Sequence, residues 1–162
     1  MNKPLLVLDT NVVLDLLHFD DATARPLRLA LEDGRVRCVV TDATLAEWRR
    51  VLAYPEFALV PVRQAALFAS YQALALKADS AGVDVSLPPI HYGLKPVWGR
   101  MPRCSDADDQ KFIELAAAAE AQGLVSKDRA VLKLRRRCAP FFQVMTPAEA
   151  VRWLHDVAGI AA

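Results

Sequence analysis

Four consecutive apolar positions near the start of the chain, Leu5-Leu6-Val7-Leu8, stop abruptly at Asp9-Thr10-Asn11. A run with no polar alternation predicts a strand buried on both faces of a parallel sheet. Asp9 then lies at the strand's carboxyl end, the edge where open α/β sheets bind ligands. Capping of a helix that starts near Val12 accounts for Asp9 or Thr10 equally well, because both residue types cap helix N-termini. The choice turns on whether other acids converge there.

Apolar residues at 12–17 predict a first helical segment, and Asp20-Asp21 precede a second helix over 22–33. Pro26 is tolerated only in a first turn, which moves the expected start toward Arg25, and Gly34 closes the helix. Residues 36–40 predict the second strand, ending at Thr41-Asp42, which cap a helix running to about 53. Glu47 in that helix reads as an exposed acid or as the far member of a capping box with Thr44. The longest helical pattern covers 62–81, with Ala66, Leu67, Phe68, Tyr71, Leu74 and Leu76 spread around the circumference, which predicts burial or a helix-helix interface. Residues 83–105, with Pro88, Pro89, Pro96 and Pro102, read as an irregular connection, either a functional loop or a disordered one. Its His91, Tyr92, Lys95, Trp98, Arg100 and Arg103 suit base stacking and phosphate pairing. They suit equally a loop that packs Trp98 on the surface.

The second strong signal is Ser105-Asp106-Ala107-Asp108-Asp109-Gln110-Lys111-Phe112-Ile113-Glu114-Leu115-Ala116. Ser105 and Asp108 fit a capping box, and acids in a first turn are favoured by the helix dipole. Asp109 is different. Phe112, Ile113 and Ala116 are its i+3, i+4 and i+7 neighbours, which turns its carboxylate inward, where it needs a cation. Residues 124–126 predict a short buried strand, followed by Lys127-Asp128-Arg129 and a helix to about 137. Residues 141–145 predict a last strand, and Thr146-Pro147 opens a final helix with Glu149 completing its capping box. Asp128 repeats the placement of Asp9.

Strands and helices alternate, which predicts a three-layer α/β/α domain around a mostly parallel sheet. Right-handed crossovers bring the strand ends to one edge, so Asp9 and Asp128 share it and Asp109 reaches it from a helix start. Converging carboxylates repel one another unless a cation intervenes. An all-oxygen set calls for Mg²⁺ or Mn²⁺, and no histidine or cysteine cluster invites zinc.

Composition changes the picture little. The chain has 162 residues, 54% of them hydrophobic, which predicts one well-buried domain. A net charge of +1 confines any nucleic-acid surface to a local patch. Cys38, Cys104 and Cys138 are odd in number and widely spaced, as in a reducing compartment. With no leader-like segment and no apolar run of membrane-spanning length, the expected location is cytoplasmic.

Four stretches, taken together, carry a resemblance. They are Leu8-Asp9-Thr10-Asn11, Thr44-Leu45-Ala46-Glu47-Trp48, Asp106-Ala107-Asp108-Asp109-Gln110-Lys111-Phe112 and Val125-Ser126-Lys127-Asp128-Arg129. In that order they resemble the PIN domain family, and with Thr146-Pro147-Ala148-Glu149 they are similar to its branch of toxin components of toxin-antitoxin pairs. The resemblance covers essentially residues 1–162 and implies a single PIN-like nuclease domain using one or two Mg²⁺ or Mn²⁺ ions, mostly on RNA. It implies Asp9, Glu47, Asp109 and Asp128 as the acidic quartet and so reverses the bland reading of Glu47. Asp9, Asp109 and Asp128 would be metal ligands, with Asp106 competing for the third role. Thr10, Asn11 and Ser126 match positions that support the site. Two departures are Ala107, where the family's motif usually has proline, and Ala130, where an acid often follows. Arg49, Arg50, Arg100, Arg103, Lys127, Arg129 and Lys133 are the candidate RNA contacts. Arg135-Arg136-Arg137 reads instead as a solvated helix end.

The implied partners are an RNA substrate, a cognate antitoxin protein and a second copy in a homodimer, with no membrane. Asn11 stands where an aspartyl-nucleophile phosphatase has its second aspartate, and no glycine-rich turn follows the first strand, which counts against a dinucleotide-binding domain. The remaining alternatives are a non-catalytic PIN fold that binds RNA or protein, and a housekeeping RNA-processing nuclease.

Overall fold

Strand β1 (Leu5–Leu8) forms the centre of a five-stranded sheet in the computed structural model, which describes residues 3–80, 90–91, 95–96 and 101–158. The other strands are β2 (Arg37–Val40), β3 (Ala75–Lys77), β6 (Gly123–Val125) and β7 (Gln143–Met145), and β4 (Ile90–His91) and β5 (Lys95–Pro96) make a separate antiparallel pair. The sheet runs β3-β2-β1-β6-β7 and every neighbouring pair is parallel. The register Leu6↔Gly123, Val7↔Leu124, Leu8↔Val125 brings the ends of β1 and β6 level. Strand order reverses between these two, so a topological switch point opens at their carboxyl ends.

Alternation along β1 divides the core. Leu6 and Leu8 face a layer built from α1 (Thr10–Leu17), α2 (Arg25–Glu32), α3 (Asp42–Leu52), α4 (Pro61–Leu74) and α8 (Pro147–Ala158). Val7 faces the opposite layer, built from α5 (Gln110–Ala118), α6 (Arg129–Leu132) and α7 (Arg135–Cys138). The strands are apolar throughout because both faces are covered. The architecture is the three-layer α/β/α fold with a parallel sheet that the sequence predicts.

The chain departs from that reading where long-range pairing overrides local propensity. The pattern over 62–81 is not one helix: α4 ends at Leu74, Ala75 turns extended, and Ala75, Leu76 and Lys77 pair with Cys38, Val39 and Val40. Alanine and leucine favour helix. The open edge of β2 offers a row of backbone partners that a continuing helix would leave unused, and Ala78 adds a bond from its N–H to the Val40 carbonyl. The helix expected to run to 137 is two short helices, α6 and α7, interrupted at Lys133 and Leu134. Within the stretch expected to be irregular lie β4 and β5, while Tyr92, Trp98 and Arg100 fall outside the described residues.

Capping also differs in detail. Thr41 and Thr44 form a reciprocal box with each other, at 2.9 and 3.1 Å, so Thr44 does not cap through Glu47. Asp106, not Ser105, caps the 3₁₀ turn Ala107–Asp109, its carboxylate accepting from the Asp108 N–H at 3.0 Å. At α8 the predicted box is present, with the Thr146 N–H donating to Glu149 at 2.9 Å and the Glu149 N–H to the Thr146 hydroxyl at 3.2 Å. No helix among the described residues is long and apolar enough to cross a membrane.

Candidate active site

The site grows from the ends of β1 and β6. Asp9 terminates β1 with its N–H donated to the Val125 carbonyl of β6 at 2.9 Å, and its own carbonyl accepts the first bonds of α1 from Val12 and Val13. Its side chain makes no capping bond. The carboxylate instead accepts a 2.6 Å hydrogen bond from the Ser126 hydroxyl. Ser126 in turn accepts from the Asp128 N–H at 3.0 Å, and Asp128 accepts from the Ala130 N–H at 2.8 Å as the cap of α6. Asp9, Ser126 and Asp128 therefore move as one unit.

Asp109 approaches from the other side, as the residue on which α5 starts. It is 7% exposed, its side chain caps nothing, and its Oδ2 is buried without a hydrogen-bond partner. Oxygens of Asp106, Asp109 and Asp128 lie within 4.8 Å of one another. Asp9 stands just outside that trio but inside its field. Burial pushes the Asp9 carboxyl up to about 6, against the Ser126 hydrogen bond, and the charges of Glu47 and Asp128 add to the rise. Burial, a shared hydrogen bond with Asp128 and the charges of Asp9, Asp128 and Asp106 push Asp109 up to about 8. A buried acid among like charges favours binding of a cation. The donor set is all oxygen, it includes an unpartnered buried atom, and it fits a hard divalent ion of the Mg²⁺ or Mn²⁺ type.

Glu47, on α3, is buried and already occupied. The Thr10 hydroxyl donates to its Oε2, and the Lys111 ammonium donates to its Oε1 at 2.6 Å and to the Asp108 carbonyl at 2.6 Å. The Arg50 guanidinium stands 3.9 Å from the same Oε1. Lys111 is a site residue that the sequence reading passed over, although a buried glutamate on a neighbouring helix calls for such a partner. Gln110 was also missed: its amide donates to the Pro102 carbonyl at 3.1 Å and accepts from the Cys104 N–H at 2.7 Å, pinning the segment that leads into the acidic turn.

The candidate RNA contacts separate into groups. Arg50, Arg129 and Lys133 are exposed. Arg49 lies over the Phe68 ring, 4.2 Å from its centroid, and so packs α3 onto α4. Arg103 is 3.9 Å from Glu114 with most of its side chain in solvent. Arg100 falls outside the described residues. Lys127 pairs with the buried Asp15 of α1 at 2.9 Å while its N–H donates to the Asn11 amide oxygen at 3.3 Å. Asn11 and Lys127 thus join the start of α1 to the loop that carries Asp128. Lys127→Ala strands a buried carboxylate, so it is expected to cost about 1–3 kcal/mol of stability in urea unfolding. An unchanged unfolding midpoint would mean that Lys127 is free for substrate.

A family model described as a PIN domain matches residues 5–130. The chain belongs to the PIN domain family, whose members are generally metal-dependent nucleases. No curated protein and no solved structure matches it.

Proposed function

We propose that the protein is an endoribonuclease that hydrolyses RNA phosphodiester bonds with Mg²⁺ or Mn²⁺. The observation that carries this reading is the buried, unpartnered Asp109 Oδ2 inside a group of acids at the switch point of the sheet. Asp106, Asp109 and Asp128 would hold the ion, with Asp9 beside them, and a bound ion of this kind supplies Lewis-acid polarisation of the phosphoryl group and a water of lowered pKa. The residues of the chain do the rest. Ser126 fixes the rotamer of Asp9, and the Asp128 N–H fixes Ser126. Thr10 and Lys111 hold Glu47, and Asn11 holds the loop at Lys127. Arg50, Arg129 and Lys133 are exposed cations available to the substrate backbone.

All of residues 1–162 would form one cytoplasmic nuclease unit. Support comes from α8, which lies beyond the matched residues yet places Ala150, Trp153 and Leu154 in the same core as β1. The toxin reading, with its cognate antitoxin and homodimer, rests on the motif resemblance. Co-expression with a small neighbouring gene that relieves growth arrest tests it.

The enzymatic reading is tested on a pool of structured and single-stranded RNA with Mn²⁺, Mg²⁺ or EDTA. Cleavage is expected with metal, none with EDTA, and a drop of ~10–100-fold in a folded Asp9→Asn variant. A wild type that neither binds Mn²⁺ nor cleaves would instead be a binding module that retains the fold.

A further inference from the structure

The acids at the switch point are not equivalent. Asp106, Asp109 and Asp128 cluster with an orphaned oxygen among them, whereas Glu47 already has a cation. Both Glu47 oxygens are satisfied, one by the Thr10 hydroxyl and one by Lys111. Asp9 is tied to the first group through Ser126, whose hydroxyl donates to Asp9 and accepts from the Asp128 N–H, and Thr10, the next residue, donates to Glu47. An ammonium has three N–H donors and no acceptor. Lys111 spends two on Glu47 and on the Asp108 carbonyl, which leaves one.

Hydrolases that use two ions place them roughly 3.5–4 Å apart on opposite sides of the reacting phosphate. In such a site each ion draws on its own carboxylates and the two share others. Here one half of that arrangement offers an unpartnered carboxylate oxygen, and in the other half an ammonium already meets the carboxylate. We propose that the Lys111 ammonium takes the place of a second divalent ion. The site then holds one ion, on the Asp106, Asp109 and Asp128 side, and Glu47 anchors Lys111 without ligating metal. This inference rests on the metal-dependent reading above and goes beyond it.

Because Lys111 sits at the second residue of α5 and Asp109 is the residue on which that helix starts, the clamp to Glu47 also ties α5 to α3. Lys111 acts in this way as a positioning residue. Its role is distinguished from mere packing by what its removal creates. A neutral side chain at 111 leaves Glu47 Oε1 without its ammonium, with the Arg50 guanidinium standing off at 3.9 Å, and so offers a second hard cation a carboxylate oxygen.

The test counts bound Mn²⁺ by titration calorimetry and by the loss of the free-ion signal in electron paramagnetic resonance. Circular dichroism checks the fold of each variant. The wild type and Lys111→Arg are expected to bind one ion, Lys111→Met two, and Lys111→Met combined with Glu47→Gln one again. Two ions on the wild type, or one on Lys111→Met, overturns the proposal. If Lys111→Met fails to fold, Glu47→Gln alone decides. An ion count still at one supports the anchor role, and loss of the ion makes Glu47 a ligand and overturns it. A wild type that binds no Mn²⁺ at all defeats the metal-dependent reading itself, a result distinct from each of these.

Discussion

Asp109→Asn is expected to give a protein that no longer cleaves RNA yet, stripped of metal by EDTA, melts at a higher temperature than the wild type. The two effects have one cause. Asp109 is buried with an oxygen that has no partner, among three other acids. Keeping that carboxyl buried costs stability, whether it is charged or holds its proton well above the ordinary value, and an amide of the same shape removes the cost while keeping the packing. The wild type recovers when metal is added. An ion bound only by the folded state at one hundred times its dissociation constant contributes about 2.7 kcal/mol, which the variant forgoes. The measurement is thermal unfolding of both proteins in EDTA and in saturating Mn²⁺, beside RNA cleavage. A variant that melts below the wild type in EDTA would mean that Asp109 has a partner in the folded protein and is no vacancy for a cation.

The second large effect is on pH. In EDTA, stability should fall as pH rises from about 4 to about 8. The folded protein keeps a proton on Asp9 up to about 6 and on Asp109 up to about 8, whereas the unfolded chain releases both near the ordinary value of 3.8. Across that window the unfolded state binds fewer protons, so each step up in pH favours unfolding. A divalent ion held by these acids would displace those protons, so its affinity would grow with pH. The same protein in saturating Mn²⁺ should therefore gain stability over the range in which it loses stability in EDTA. Melting temperatures between pH 4.5 and 8.5 with and without Mn²⁺ check this. A flat profile in EDTA would show that the acids titrate as they do in the unfolded chain.

What the sequence reveals follows from which interactions are local. An uninterrupted apolar run marks β1, and an acid directly after a strand places Asp9 and Asp128 at one edge without any knowledge of tertiary contacts. Asp109 is legible as buried because three apolar neighbours lie on its own helix face. The capping box at Thr146 and Glu149 is legible because all its members lie within one turn. The larger misses are distant. Residues 75–77 have helix-forming side chains, and only pairing with β2 makes them a strand. Lys111 and Glu47 are 64 positions apart, and Lys127 and Asp15 are 112 apart, so no periodicity joins them. Arg49 looks like a phosphate ligand until α4 brings Phe68 beneath it.

The sheet order has a consequence for the chain as it is synthesised. Strand β1 is made well before its neighbour β6, and the Ser126 hydroxyl that orients Asp9 arrives 117 residues after it. Until that segment has left the ribosome, the central strand lacks one of its flanks, and Asp9 waits without Ser126 or Asp128. A nascent chain thus holds these acids apart until the stretch that carries β6 and Asp128 has been made.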